Sequence, residues 1–121
     1  MKYFHVQKCR DRSKQTVCIA DAYPVTEGHS LVIPCRHVAD GMALHQPEWN
    51  AITALLKQRR DELEMADASI SGFNIGLNIG ASAGQTVMHA HWHLIPRRTG
   101  DTSDPRGGVR GVIPGKQRYS M

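Results

Sequence analysis

The stretch HAHWHLIPRR, residues 89–98, carries a histidine at every second position before an apolar run. Side chains on a β-strand alternate between the two faces of the sheet. A strand over 85–96 would therefore present His89, His91 and His93 on one face. Its other face would carry a mostly apolar set suited to packing beneath a helix: Thr86, Met88, Ala90, Trp92 and Leu94. This strand is expected to organise both the fold and the chemistry.

Two kinds of chemistry fit three aligned imidazoles. Neutral imidazole is a favoured zinc ligand, but on a straight strand the outer two histidines lie roughly 13 Å apart, at about 3.3 Å per residue. Three bonds of about 2 Å to one ion would strain that strand, and no Asp or Glu lies nearby in sequence. Imidazole is also a nucleophile that is mostly neutral at pH 7, because its pKa is about 6.5. Attack on phosphorus would give a phosphoramidate, so the pattern favours phosphoryl transfer.

The composition is that of one globular domain. The chain has 121 residues, of which 40% are hydrophobic and 21% charged, and this length can bury a single core. No apolar run approaches the roughly 18–20 residues of a membrane span, and the first residues lack a signal-peptide pattern. Cys9, Cys18 and Cys35 form an odd set without a CxxC pair, which argues against a disulfide framework and a thiolate zinc site. We therefore expect a cytoplasmic protein without a membrane partner.

The excess positive charge lies at one end of the chain. The net charge is +4, and residues 97–121 contain six Lys or Arg against Asp101 and Asp104, whereas the rest is neutral. Two interpretations stay open: a solvated tail, or a basic lip that attracts an anionic substrate. We accordingly divide the chain into a domain over 1–98 and a basic Gly/Pro-rich tail over 99–121.

The periodicity predicts an α+β domain. Apolar positions at helical spacing, Trp49, Ile52, Leu56 and Leu63, predict a long helix from Pro47 to Ala68, although no good capping residue precedes it. Five segments have strand character: QTVCIAD (15–21), HSLVIP (29–34), FNIGLNIG (73–80), QTVMHAHWHLIP (85–96) and VRGVIP (109–114) as a short edge strand.

GQTVMHAHWHLIPR, residues 84–97, resembles the signature of the histidine triad (HIT) family, in which His-x-His-x-His precedes apolar residues. The Gly-Gln-Thr lead-in is similar to the fragile-histidine-triad branch of dinucleoside polyphosphate hydrolases. DAYPVTEGHSLVIPCRH (21–37) and FNIGLNIGASAG (73–84) fit in order, so the resemblance covers about 15–98. It implies the HIT fold: an antiparallel sheet of about five strands with one long and one short helix. Trp92 departs from the smaller aliphatic residue of many relatives, and the zinc-binding cysteines of some relatives are absent.

The resemblance also implies roles for individual residues. His91 would be the nucleophile, with its second ring nitrogen donating to the backbone carbonyl of His89, and His93 would contact the phosphate or the developing charge. The residues placed around the phosphates would be Gln85, Thr86 and Asn78. The nucleoside would be held by Asp21 at the ribose hydroxyls and by Ile19, Ala22 and Leu31 at the base, while His29 would support the histidine strand. Some of these also have ordinary interpretations, Asp21 as a turn residue and Ile19 as core.

The function implied is a nucleotide hydrolase or transferase that acts at the α-phosphate through a covalent nucleotidyl-histidine. Dinucleoside polyphosphate hydrolysis comes first, with adenosine 5′-phosphoramidate hydrolysis as the alternative. A metal-binding sensor and a nucleotide-binding regulator with feeble turnover belong to other classes and stay open. We expect no protein-bound cofactor or metal, Mg²⁺ only as it arrives with substrate phosphates, no nucleic-acid partner, and a homodimer.

Overall fold

The structure, a computed structural model, describes residues 14–119. The expectations for the N-terminal segment, including Cys9, fall on residues 1–13 and lie outside the described part, as do residues 120 and 121. Four strands and one long helix make up the regular structure: β1 (Thr16–Ala20), β2 (Ser30–Pro34), α1 (Gln46–Ala66), β3 (Ile70–Gly76) and β4 (Trp92–Arg98). Short 3₁₀ helices cover Gly41–Ala43, Ala81–Ala83 and Gly108–Val112. No helix within residues 14–119 is long and apolar enough to cross a bilayer.

The strands form one antiparallel sheet in the order β1-β2-β4-β3. His93 in β4 pairs with Leu31 in the neighbouring strand β2 and with Gly76 in the other neighbouring strand, β3. Since residues two apart share a face, one face contains Leu31, His93, Ile95 and Asn74; we call it the histidine face. The opposite face contains Val32, Trp92 and Leu94, and we call it the helix face.

Helix α1 packs on the helix face because its apolar stripe matches the apolar residues of the central strands. Ile52 and Val32 are fully buried in one cluster with Trp92, and Leu63 packs with Leu94 in another. Burying a side chain of this size stabilises the fold by about 1.5–3 kcal/mol. The predicted alternation therefore holds from His91 onward, with Trp92 and Leu94 facing the helix as expected.

Trp92 fits beneath the helix because a glycine makes room for it. Its ring meets Trp49 edge-on, with centroids 5.5 Å apart and planes at 73°. A Cβ built on Gly41 would lie 2.7 Å from Trp92 Cη2 and 2.3 Å from Leu77 Cδ1. Any side chain at Gly41 would therefore displace the indole, which accounts for the bulky residue at position 92.

Helix α1 begins at Gln46 and not at Pro47, and Glu48 supplies the cap that the sequence did not suggest. The Glu48 carboxylate accepts a hydrogen bond from the His45 backbone N–H at 2.8 Å. It also accepts two from Arg36, at 3.0 and 2.9 Å. This pairing lowers the pKa of the Glu48 carboxyl, with the Arg36 hydrogen bond as the largest cause. A carboxylate at the third helical position is stabilising there because it meets the N-terminal amides.

Three strand predictions need correction. The histidine strand begins at Trp92, so His89 and His91 lie in the preceding loop and not in a strand over 85–96. The predicted strand over 73–80 is β3, which runs from Ile70 to Gly76. The predicted edge strand over 109–114 is an exposed 3₁₀ helix, Gly108–Val112, so residues 14–119 contain four strands instead of about five. Glycine-rich sequence explains this last difference, because glycine favours turns over strands.

Candidate active site

The candidate site lies on the histidine face, around a small cavity of about 190 Å³. Four elements meet there: the turn after β1, strand β2, the loop after β3 and the segment leading into β4. The residues that line the cavity are Asp21, Tyr23, Leu31, Asn78, Gly84, Thr86, Val87, His91 and His93. Six of the residues singled out from the sequence are therefore brought together: Asp21, Leu31, Asn78, Thr86, His91 and His93.

His91 makes the hydrogen bond that the resemblance implied. Its Nδ1 lies 2.9 Å from the backbone carbonyl oxygen of His89. A carbonyl can only accept, so Nδ1 carries the hydrogen and donates. In a neutral imidazole the lone pair then remains on Nε2, the form in which that nitrogen can act as a nucleophile.

A second chain of hydrogen bonds determines the protonation of His93. The Val25 backbone N–H donates to His29 Nδ1 at 3.0 Å, so that nitrogen is an acceptor. In the neutral ring His29 Nε2 must then carry the hydrogen, and it lies 2.9 Å from His93 Nδ1. His93 Nδ1 accepts this bond, which leaves the hydrogen of His93 on Nε2. The Nε2 atoms of the two rings therefore differ: that of His91 has a lone pair, and that of His93 has a hydrogen that it can donate.

Burial keeps the histidines around this chain neutral. Desolvation lowers the pKa of His29, although the Asp21 carboxylate opposes it. Desolvation also lowers the pKa of His93, helped by the neighbouring His91 and His29 and opposed by Asp21. The neutral forms required by the hydrogen-bond assignment are thus the forms that the surroundings favour.

These lowered pKa values predict a loss of stability in mild acid. In the unfolded chain His29, His89 and His93 bind protons near the ordinary pKa of about 6.5. In the folded chain their pKa values are lower, so they bind protons only at more acidic pH. Since the unfolded state binds more protons, the free energy of unfolding should fall as the pH drops below about 6.5. Urea denaturation followed by tryptophan fluorescence at pH 7.5, 6.0 and 5.0 would measure it. Asp67, whose pKa is lowered to about 2, stays ionised throughout this window. A free energy of unfolding that is constant from pH 7.5 to 5.0 would contradict the assignment of neutral, buried histidines in the folded state.

The His89 side chain lies away from the cavity lining. Its Nε2 donates to the Pro34 backbone carbonyl at 2.7 Å, and its ring meets His37 edge-on at 5.2 Å. Burial is the main cause that lowers its pKa. The contribution of residue 89 to His91 therefore comes from its backbone, and its side chain ties the loop to the end of β2.

One group within residues 14–119 has the spacing of a metal site: Asp21, His29 and His93. Asp21 Oδ2 lies 3.4 Å from His29 Nε2 and 4.0 Å from His93 Nδ1. A metal would need the lone pair of His29 on Nε2, but the Val25 amide places the hydrogen there. The group fits a hydrogen-bonded cluster better than a cation site, which weakens the metal-sensor interpretation.

Four of the predicted residues lie beside the cavity instead of lining it, in addition to His89. Gln85 is buried, and its amide is used within the protein: Nε2 donates to the Ala39 and Val87 carbonyls and Oε1 accepts from the Gly80 N–H. It has no N–H left for a phosphoryl oxygen, so it positions the loop. His29 acts through His93. Ile19 is buried beside Leu31, and Ala22 is exposed.

Three further residues line the cavity that were not predicted from the sequence: Tyr23, Gly84 and Val87. Tyr23 is 76% exposed, and its backbone N–H donates to Asp21 Oδ1 at 2.8 Å. The signal was its place in the turn directly after Asp21. Val87 lies in the segment 85–96 that was predicted to be a strand. In such a strand its side chain would share a face with those of His91 and His93.

Comparisons with known proteins point to one family. The HIT domain family matches residues 11–100. An uncharacterized HIT-like protein of Mycoplasma genitalium is 40% identical over 85 residues, which are 70% of this chain and 60% of that protein. The asymmetrical bis(5′-nucleosyl)-tetraphosphatase of Schizosaccharomyces pombe is 36% identical over 77% of this chain and 50% of its own length. The solved structure of the C. elegans NitFhit protein matches with a TM-score of 0.68 and 33% identity, over 81% of this chain and 23% of that one. The chain thus spans 60% or less of these proteins, and the predicted fold class is confirmed.

Proposed function

Because this chain belongs to the HIT family, we propose that it is a nucleotide hydrolase or transferase that acts at the α-phosphate through a covalent bond to His91. Dinucleoside polyphosphates are the substrates we propose first. The observation that carries this proposal is the pair of opposite groups at one cavity: a lone pair on His91 Nε2 and a hydrogen on His93 Nε2. A phosphoryl group needs both, an attacking atom and a donor for its oxygens.

In the first step His91 Nε2 attacks the α-phosphorus and the bond from phosphorus to the bridging oxygen breaks. The electron pair of that bond leaves with the second fragment. The His91 ring, now bonded to phosphorus and still protonated on Nδ1, carries a positive charge that the His89 carbonyl stabilises. His93 Nε2–H would donate to a phosphoryl oxygen, and Thr86 and Asn78 line the same cavity with further polar groups.

In the second step water attacks the α-phosphorus and the phosphorus–nitrogen bond breaks. The electron pair returns to His91 Nε2, so the neutral ring is regenerated, and one proton is released to solvent. The products are a nucleoside monophosphate and the second fragment. Asp21, which lines the cavity, would hold the ribose hydroxyls during both steps.

The state of His93 supports a phosphate leaving group over ammonia. A neutral His93 can donate a hydrogen bond, but giving up its Nε2 proton would leave an anionic ring. A polyphosphate departs as an anion, because its terminal group has a pKa near 6. Ammonia must leave with an additional proton, which this arrangement does not supply. The tetraphosphatase named among the relatives also supports the first choice.

Steady-state rates on a substrate panel test the proposal. The panel contains diadenosine triphosphate, diadenosine tetraphosphate and adenosine 5′-phosphoramidate, each with added Mg²⁺. We expect kcat/KM to be higher for the dinucleotides. Faster hydrolysis of the phosphoramidate would make the alternative activity the correct one, and no turnover with measurable nucleotide binding would indicate a regulator. A stoichiometric transition metal in the purified protein would favour the metal sensor.

The remaining expectations rest on the composition of the chain and on its resemblance to the family. We propose a homodimer, a cytoplasmic location, no nucleic-acid partner and no protein-bound cofactor. The division into 1–98 and 99–121 also remains a proposal. Measurement of mass in solution by light scattering tests the dimer, with a mass near twice 13.4 kDa as the expected result.

A further inference from the structure

The connection from β1 to β2, residues 21–29, contains Asp21, which lines the cavity of the candidate site, and Val25, whose N–H donates to His29 Nδ1. The backbone closes this connection at its two ends, because the Asp21 N–H donates to the His29 carbonyl at 3.0 Å. Residues 22–25 and 27 are exposed, so burial contributes little to the position of the chain between these ends. Hydrogen bonds must therefore hold the Val25 amide within reach of His29.

Thr26 lies at the centre of this connection and begins a tight turn. Its carbonyl accepts a hydrogen bond from the His29 N–H at 3.1 Å, and Gly28, the third residue of the turn, has a φ of +95°. Both features are typical of a type II β-turn. A Cβ built on Gly28 would lie 3.0 Å from Leu63 Cδ2 and 3.2 Å from Pro96 Cγ. The turn therefore lies directly against helix α1 and strand β4.

The Thr26 side chain attaches this turn to strand β4. Its hydroxyl donates to the Pro96 backbone carbonyl at 2.6 Å. The last pair between β2 and β4 includes Leu94, so Pro96 lies two residues beyond it. In the described part of the chain, no other group between Asp21 and His29 makes a hydrogen bond to β4 or to α1. The Thr26 hydroxyl is thus the polar attachment of the turn to β4.

The position of the turn affects the hydrogen on His93. While the Val25 N–H donates to His29 Nδ1, the hydrogen of His29 stays on Nε2 and is donated to His93 Nδ1. If the amide moved away, His29 could carry its hydrogen on Nδ1, and His93 would then carry its own on Nδ1 and lose it from Nε2. The Asp21 carboxylate, 3.4 Å from His29 Nε2, favours the original form. Displacement of the amide should therefore shift the tautomers only in part.

We propose that Thr26 is a positioning residue for the reaction: its hydroxyl, bonded to β4, holds the Val25 amide where it determines the protonation of His93. Thr26 does not line the cavity, and it acts on the phosphoryl group only through His29 and His93. This inference rests on the proposed function and adds to it a residue outside the cavity that controls the donor on His93 Nε2.

The test compares three single substitutions with diadenosine tetraphosphate as the substrate. Thr26→Val removes the hydroxyl while keeping the shape of the side chain, and we expect kcat to fall about tenfold, the scale of one hydrogen bond. Thr26→Ser keeps the hydroxyl and should have a kcat near that of the wild type. Thr53→Val is the matched control, because the Thr53 hydroxyl donates to carbonyls of its own exposed helical turn, and its kcat should be unchanged.

Two further measurements distinguish positioning from a purely structural role. Combined with His29→Asn, Thr26→Val should cost little more than His29→Asn alone, because both residues act through the same chain of hydrogen bonds. Nitrogen NMR of the imidazoles without substrate should show the hydrogen of His93 on Nε2 in the wild type and partly on Nδ1 in Thr26→Val. A purely structural role would lower the free energy of unfolding in urea and leave this tautomer unchanged.

Effects on kcat that multiply in the double variant, or the same His93 tautomer in Thr26→Val as in the wild type, would overturn the inference. Thr26→Ala, which also removes the hydroxyl, replaces the valine variant if that protein does not fold. If the wild type does not hydrolyse the tetraphosphate, the proposed function is wrong. The NMR measurement, which needs no turnover, then still decides whether Thr26 controls the tautomer of His93.

Discussion

Replacement of His91 by Asn is expected to lower kcat by several orders of magnitude, on the order of 10⁴–10⁶, the scale of losing a covalent nucleophile. Asparagine can still donate a hydrogen bond to the His89 carbonyl, but it has no ring nitrogen to attack phosphorus. Nucleotide binding should survive, because Asp21, Thr86 and His93 still line the cavity. Single-turnover kinetics with labelled dinucleotide and calorimetric binding of AMP would measure the two effects separately.

Quenching the wild-type reaction with denaturant at alkaline pH, where a phosphorus–nitrogen bond to histidine survives, provides the direct control for this prediction. A nucleotide bonded to the protein should be trapped in the wild type, mapped to His91, and absent from the Asn variant. His89→Asn is the matched substitution, because it removes a neighbouring imidazole while retaining the backbone carbonyl that His91 uses. Full activity of the His91 variant would refute the covalent mechanism. An equal collapse in both variants, together with loss of a bound metal, would support the metal interpretation instead.

Replacement of His93 by Asn should cost about 10²–10⁴ in kcat, the range for loss of one preorganised hydrogen-bond donor or acid–base group. The structure adds that His29 acts through the same hydrogen bond, 2.9 Å long, as a positioning residue. His29→Asn should therefore lower kcat in the same direction, and the double variant should lose little more than His93→Asn alone. Independent groups would instead give effects that multiply.

The pH profile distinguishes positioning from a purely structural role of His29. Desolvation and the neighbouring rings lower the pKa of His93 in the wild type, so the His93 ring should stay neutral somewhat below pH 6.5 and then gain a proton on Nδ1, which breaks the hydrogen bond from His29. Loss of the His29 contact should therefore move the part of the pH profile of kcat that His93 contributes. Multiplicative effects on kcat with an unchanged pH profile would show that the chain of hydrogen bonds from Val25 has no part in catalysis.

The alternation of the last strand was predictable because it depends on local sequence. Trp92 and Leu94 meet the helix and His93 faces away from it, as a period of two requires. The start of that strand was not predictable, because tertiary hydrogen bonds hold the preceding loop. Gln85 donates to Ala39, and the Ala90 N–H donates to Val38 at 2.7 Å. These partners lie about 50 residues away, where periodicity gives no information.

The composition of the site was predictable by resemblance, while its proton arrangement was not. The matched segments identified six of the lining residues, including Asp21 and Asn78. The protonation of His93 depends on Val25, an exposed residue whose contribution is a backbone amide. Side-chain chemistry in the sequence cannot reveal such a contact, and neither could it show that the Gln85 amide is already used within the protein.

The use of main-chain groups at residues 25 and 89 has a consequence for how this protein tolerates mutation. The Val25 amide acts on His93 through His29, and the His89 carbonyl orients His91; substitution by any residue other than proline keeps both backbone groups. Substitutions that accumulate at these positions can therefore change the loop sequences while the hydrogens stay on His91 Nδ1 and His93 Nε2. Saturation mutagenesis would score both positions as permissive with respect to this arrangement, although each holds a hydrogen bond on which the chemistry depends.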